Sequence, residues 1–552
     1  MHRINKPILA ALAFIASSTL VLAADSPKRP NVLFILIDDL GYSDLGCYGG
    51  EIHTPNIDSL GKDGLRFTQM SNSARCCPSR ASLLTGLTPA QAGIPNFAGS
   101  LSDHCVTFGS VLRDAGYATY AVGKWHVGTS RTTNPIARGF SEFYGFPGGH
   151  SMDQWTASNY VRLPEGHPPE IQPKAPFYAT DVFSDYAVEF IKQGEASKKP
   201  WMLYLAYSSP HFPLQAPAES VKPLLDTYRR GWDALRSERF ERLKKIGLAD
   251  SNAWKLTERS MVPVEKNNAI ANGYSGQPNP AWDSLPADRR EDLARRMATY
   301  AAMVEHVDAG VGRILAQLKA AGELDHTLIF LTSDNGACYE WGPFGFDDKS
   351  RAGITLLHTG ADLDTMGGPG THMAYGSSWA NLCNTPFRMY KHFTHQGGIT
   401  SPLIVHWPAG IQAPGRWVRE PAHVMDIMAT LVDVTHSPYP QQYNGKPILP
   451  MEGVSLAPTF QANGTLAQRS ICYQHEGARA IRKGNWKLLM SKRQPTEPTW
   501  ELYDLAKDPC ETTNLATQNP ELVKTLSAEW DAWAARTGAL GKRAKKAGPE
   551  AE

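Results

Sequence analysis

The chain is expected to be an α/β protein: a large, mostly parallel sheet flanked by helices, followed by a smaller C-terminal subdomain built on an antiparallel sheet. Three observations predict this. Continuous apolar runs such as Asn31 to Ile37 and Trp201 to Tyr207 are the mark of strands buried on both faces. Segments with helical spacing alternate with them, which is the pattern of a sheet built from crossover units. After about Pro440 the pattern changes to short strands broken by turns.

The elements follow in order. Met1 to Lys6 is basic and Ile8 to Leu22 apolar, ending in Val21-Leu22-Ala23 or Leu22-Ala23-Ala24, so residues 1–24 read as a secretory signal peptide. The expected product is exported, periplasmic or extracellular. Ser17, Ser18 and Thr19 interrupt the apolar run, and no stable membrane span is expected there or later.

Residues 30–440 are assigned to the α/β domain. Asn31 to Ile37 ends in Asp38-Asp39. Tyr117 to Val122 follows a helix over Thr107 to Ala115 and ends in Gly123-Lys124-Trp125-His126. Lys124 and His126 are two apart on what reads as extended backbone, so both point the same way. A helix over Asp181 to Gln193 and a polar loop from Gln193 to Pro200 lead to Trp201 to Tyr207, which ends in Ser208-Ser209-Pro210-His211. From His211 to Tyr300 the chain is long, charged and partly helical. A helix over Arg289 to Ala321 precedes Thr327 to Thr332, which ends in Ser333-Asp334-Asn335-Gly336. A fifth strand, Pro402 to His406, follows the turn-rich Lys391 to Gly398. Ligands gather at the carboxyl ends of strands in such sheets, where most of these polar groups stand. Taken singly each has an innocent reading, since Asp or Asn after a strand commonly caps a helix or makes a turn.

Residues 441–540 are assigned to the small subdomain, with strands over Ser470 to Gln474, Ala478 to Arg482, Asn485 to Met490 and Trp500 to Asp504. Gly484-Asn485 suits a tight hairpin, and Pro520 to Ala535 reads as a closing helix. Residues 541–552 form a basic tail with Lys542, Arg543, Lys545 and Lys546. The net charge of +1 over 552 residues argues against nucleic acid or another polyanionic partner. Eight cysteines permit one to three bridges in an exported chain, with Cys472 and Cys510 a candidate pair and Cys47, Cys105, Cys338 and Cys383 unassigned.

The most informative stretch is Cys76-Cys77-Pro78-Ser79-Arg80-Ala81-Ser82-Leu83-Leu84-Thr85-Gly86. Pro78 suits a first helical turn and Gly86 a helix end, so Cys76 sits at a helix N-terminus, where anions bind. A disulfide or a thiolate metal ligand is the bland alternative, but neither needs the following Pro-Ser-Arg. The stretch resembles the signature of the type I sulfatases of the alkaline phosphatase superfamily, C-x-P-S-R-A-x-L-L-T-G. The resemblance implies that a maturation enzyme oxidises Cys76 to formylglycine, whose hydrate attacks the sulfate ester. It also implies calcium held by Asp38, Asp39, Asp334 and Asn335 with residue 76; an all-oxygen set with irregular geometry suits calcium better than magnesium or zinc.

Further correspondences are Gly123-Lys124-Trp125-His126, His211 in Pro-His-Phe-Pro, and Lys391. The roles that follow are Arg80 for holding the hydrate, Lys124 and Lys391 for binding sulfate, His211 as acid for the leaving alcohol and His126 as base. By themselves His211 and Lys391 would read as a packed and a solvated side chain. Two departures are His395-Gln396-Gly397-Gly398, where the family often has Glu-Gly-Gly, and Cys77 at the variable signature position. His475-Glu476-Gly477, Arg482 to Lys487 and Asp508-Pro509 extend the resemblance into the small subdomain. His150, Asp153 and Trp155 are expected either to wall the substrate site or to form a structural turn. The implied substrate is an aryl sulfate or sulfated carbohydrate. A phosphate or phosphonate ester hydrolase and a non-catalytic glycan-binding protein are the alternatives.

Overall fold

The structure is a computed structural model that describes residues 29–540, except 150, 169, 170, 172–174, 349, 351 and 352. The signal peptide, the basic tail and His150 therefore lie outside the described residues. The strands of the large sheet are β1 (Asn31–Ile37), β2 (Leu65–Ser71), β3 (Ala118–Lys124), β4 (Glu142–Phe146), β5 (Val161–Leu163), β6 (Trp201–Tyr207), β7 (Thr327–Ser333), β8 (Thr400–His406), β9 (Trp417–Val418) and β10 (Ala422–His423). Their order is β10-β2-β8-β7-β1-β6-β3-β4-β5, with β9 also on β2.

Strands β7, β1, β6, β3 and β4 are mutually parallel. Strand β8 runs against both β7 and β2. Two reversals restore the direction, so β2 points the same way as the parallel block. The segments that leave β1, β2, β3, β6 and β7 thus emerge along one edge, and the segment that enters β8 arrives there. That is how Lys391, which precedes its strand, meets residues that follow theirs. Strand β2 escapes the apolar-run criterion because Arg66 and Gln69 interrupt it, and both are only half-buried.

Alternation along each central strand feeds two cores. Leu33, Ile35 and Ile37 of β1 pack with the helices Ala179–Ala196 and Ala287–Ala320. Val32, Phe34 and Leu36 pack on the other face with Leu83 and Leu84 of the helix Cys76–Thr85 and with the helix Phe108–Asp114. The first of these helices runs to Ala196, so the predicted loop shrinks to the residues just before β6. The charged region after His211 includes the helix Trp232–Lys245. Its buried Arg239 meets Asp44 at 2.8 Å and Glu51 at 2.6 Å, which fastens it behind the end of β1.

Two strands, β11 (Gln442–Tyr443) and β12 (Lys446–Pro447), form a hairpin, and Tyr443, Leu449, Met451 and Phe460 pack on the large core. The antiparallel sheet β13 (Ser470–His475), β14 (Ala478–Lys483), β15 (Trp486–Met490), β16 (Trp500–Asp504) follows. Gly484, with φ of 58°, makes its central turn. One face carries the closing helix Pro520–Thr537 through Ile481, Leu502 and Trp530. The other face lies on the large domain through Ile471, Tyr473 and Leu489, and it touches Ala74, just before the signature.

All eight cysteines are free thiols. Cys472 points toward the closing helix and Cys510 is buried in the core of the large domain, so the candidate pair is not formed. Among the described residues no helix is long and apolar enough to cross a membrane.

Candidate active site

The signature folds as the helix Cys76–Thr85, every residue of which is buried. Its small and hydroxylic residues have local tasks. Ser79 Oγ accepts from Ser73 N at 2.9 Å, Thr85 Oγ1 donates to Ala81 O at 2.7 Å, and Gly86 closes the helix with φ of 72°. The first helical residue is Cys76. A hydrogen bond from Cys77, then the Lys124 charge and His126, hold the Cys76 thiol well below its ordinary pKa despite burial. Burial pushes the Cys77 thiol up, and its Sγ lies 3.5 Å from Asn96 O.

Three carboxylates and three cations surround this point. Asp38 Oδ2 accepts from Lys124 Nζ at 2.5 Å. Asp334 Oδ2 accepts from Arg80 Nε at 3.0 Å and Nη2 at 2.7 Å, while Arg80 Nη1 donates to Lys124 O. Asp39 accepts from Lys391 Nζ at 2.9 Å and from Asn335 Nδ2 at 2.6 Å. His211 Nε2 lies 3.3 Å from both Asp39 Oδ2 and Lys391 Nζ. His211 Nδ1 is 2.7 Å from Phe212 O, which only accepts; Nδ1 therefore carries a hydrogen and Nε2 is the atom that exchanges a proton.

The oxygen set fits a hard divalent cation. Asp38 Oδ1 and Asn335 Oδ1 are buried acceptors with no hydrogen-bond partner. Burial raises the pKa of Asp38 and Asp39, and burial together with the Asp38 charge pushes Asp334 up to about 7. Crowded buried carboxylates of this kind gain from a shared cation.

All ten predicted site positions lie in one cluster or directly against it. One argument for their placement fails: His126 has φ of 59°, so it is not on extended backbone. A left-handed residue after β3 turns the chain at that point and brings the imidazole to Cys76, whereas simple alternation would have carried it onward. His126 Nδ1 is buried with no partner, and burial holds the ring's pKa below 6.5. Asp153 and Trp155 are engaged in structure: Asp153 accepts from Trp155 N and Gln215 Nε2, and Trp155 Nε1 donates to Gly367 O.

The Gly397-Gly398 pair has a steric reason: a Cβ on Gly397 would stand 2.3 Å from Arg388 O, and one on Gly398 2.0 Å from Phe393 O. A Cβ on Gly336 would stand 1.8 Å from Gly397 O, so the Asp334 loop and the Lys391 loop meet backbone to backbone. Gln396, at the departure from Glu-Gly-Gly, accepts from Lys487 Nζ at 3.0 Å, and Glu511 supplies the negative partner at 2.6 Å.

Sequence reasoning missed a flanking network. Arg75 stacks over Phe97 at 4.0 Å and bonds Glu476 at 2.7 Å; Glu476 also pairs with Arg493. His392 bonds Glu340 at 2.6 Å and lies 3.3 Å from His475. The position of Arg75 and His392, each adjacent to a predicted residue, was the available signal.

Comparison with known proteins gives a concordant result. The model of the family described as Sulfatase matches residues 30–437, and one described as N-sulphoglucosamine sulphohydrolase, C-terminal, matches residues 387–533. An uncharacterized sulfatase of Schizosaccharomyces pombe is 32% identical over 93% of this chain and 95% of its own. An arylsulfatase of Klebsiella aerogenes is 30% identical over 81% of this chain and 96% of its own. The crystal structure of Ps i-CgsB is 26% identical, with a TM-score of 0.63 over 92% of this chain and 93% of that one; the same protein is also solved in complex with k-i-k-neocarrahexaose.

Proposed function

The chain belongs to the sulfatase family and is a sulfuric ester hydrolase, and from that premise we propose that it acts through a formylglycine made from Cys76 and a calcium ion on an aryl sulfate or sulfated carbohydrate. The observation that carries the proposal is Cys76 at a buried helix N-terminus, its Sγ within 4.8 Å of a His126 ring nitrogen, with Asp38 Oδ1 and Asn335 Oδ1 buried without a hydrogen-bond donor in the same cluster.

Asp38, Asp39, Asp334 and Asn335, with residue 76, would hold the calcium, which supplies charge to draw density from the sulfate oxygens. A formylglycine hydrate supplies two hydroxyls on one carbon, one to attack sulfur and one whose deprotonation expels sulfate. The remaining steps belong to the chain's own groups. Lys124 and Lys391 orient the sulfate oxygens and offset charge on them as the S–O bond breaks. Protonated at Nε2, His211 gives its proton to the departing alcohol, with the Phe212 carbonyl fixing the ring through Nδ1. His126, neutral because it is buried, takes a proton from the hydroxyl on residue 76. Arg80 acts as a positioning residue: its fork on Asp334 and its bond to the Lys124 carbonyl fix two other groups at once.

A sulfated carbohydrate is consistent with the oligosaccharide complex of Ps i-CgsB. An exported or periplasmic enzyme with a maturation enzyme as partner completes the proposal. Turnover of nitrophenyl sulfate measured beside nitrophenyl phosphate and phosphonate, with free-sulfate release from sulfated sugars, tests it. Faster phosphonate than sulfate turnover would overturn the reading.

A further inference from the structure

Arg482 is electrostatically out of place. It sits on β14, on the face of the small sheet that packs against the large domain, and is 8% exposed. A guanidinium that deep ordinarily faces a carboxylate, because an unpaired charge is costly to desolvate. Arg482 instead donates Nε to Gly484 O at 3.1 Å and Nη2 to Gln69 Oε1. Among the described residues it makes no ion pair, and burial lowers its pKa. Nearby Arg469 spends one nitrogen on Asp426 and leaves Nη1 buried without an acceptor.

Both guanidinium groups line one cavity of about 230 Å³ at the seam between β2, the link from β9 to β10, and β14. Arg419, which pairs with Asp250 at 2.8 Å, stands on its wall together with Gln69, Asn485 and Glu420. A buried cation and a half-buried one, each with a donor to spare, border one cleft and form the complement of a tetrahedral oxyanion. The carboxylate of Glu420 and the two amides suit hydroxyl groups around such an anion. The space is smaller than the ~300–1,000 Å³ of pockets for drug-sized ligands, and holds one sugar-sized group.

We infer that this cavity is a second oxyanion site, separate from the catalytic centre, which takes a sulfate group either free or carried on a sugar. It is argued from Arg482 and Arg469 and stands apart from the catalytic reading.

The test is titration calorimetry on full-length, calcium-loaded protein carrying Cys76→Ala, so that counted sites do not depend on turnover. The probes are sodium sulfate and a disulfated disaccharide. Two classes of site are expected, of which one weakens at least about tenfold, or about 1.4 kcal/mol, when Arg482→Gln is added. Ala467→Trp fills the cavity from an exposed wall position and should remove the same class with Arg482 intact. Tighter binding of the disaccharide there identifies a sugar-borne sulfate, and equal binding a free anion. A single class of site for both probes, or binding unchanged by Ala467→Trp, would overturn the inference. Absence of sulfatase activity in protein that keeps residue 76 and has it converted to the aldehyde would instead refute the catalytic reading and leave this one intact.

Discussion

Cys76 and Cys77 are adjacent and equally buried, yet their surroundings shift their thiols in opposite directions. The first faces Lys124 and His126 at the helix start, and the second is packed in the core with a raised pKa. Cys76→Ala should lower sulfate-ester turnover by about 10³-fold or more, as expected when a nucleophile is removed. Cys77→Ala should retain turnover within a few-fold. Comparable losses in the two would mean that the nucleophile has been misassigned. A second residue-scale prediction concerns acid stability. Buried His423 has its pKa pushed down to about 3, by burial first and then by Arg469, and its Nδ1 accepts from Met425 N. The unfolded chain takes up a proton near pH 6.5 and the folded one does not, so stability is lost as pH falls from 6.5 toward 3. At pH 5 the loss from this group is about 2 kcal/mol. Urea melts at pH 7 and pH 5 should show that difference narrowing in His423→Gln. At this scale the motifs that carry the sulfatase resemblance picked out the residues that gather around Cys76. They gave no view of Arg75, Glu340 and His392, because charged residues in loops look alike whether they are solvated or buried.

The elements explain why five of the six seven-residue strands could be read and one could not. Strands β1, β6 and β7 are buried on both faces and announce themselves by composition. Strand β2 is interrupted by polar residues, and nothing in the composition of β8 tells its direction. That direction is what brings Lys391 to Asp39. The closest approach in the site is also made by loops between elements, where Gly336 leaves no room for a methyl group. Gly336→Ala should therefore displace Asp334 and Asn335 and abolish the thermal stabilisation by calcium, while far-ultraviolet circular dichroism stays native. A normal calcium response in that variant would show that the loop is not a ligand loop.

Across the whole molecule, the large domain supplies the cluster and the small sheet braces the segment that carries it, through Ala74 and the Arg75–Glu476 pair. Sequence alone located the small sheet but not the side chains by which it reaches the site, since the resemblance marks His475-Glu476-Gly477 without telling that Glu476 pairs with Arg75. A ligand that binds only the folded state stabilises it by mass action, about 2.7 kcal/mol at one hundred times its dissociation constant. Chelation should accordingly lower the melting temperature and stop turnover, and calcium should restore both; zinc alone should restore neither. Unchanged melting after chelation would remove the proposed metal role. The central claim is that Cys76 becomes the nucleophile as formylglycine. Mass spectrometry of the peptide bearing Cys76, from protein made with and without a maturation enzyme, tests it most directly when activity is measured on the same samples. The account predicts that activity rises in proportion to the fraction of residue 76 converted to the aldehyde, whereas full activity in protein whose Cys76 is entirely unmodified would contradict it.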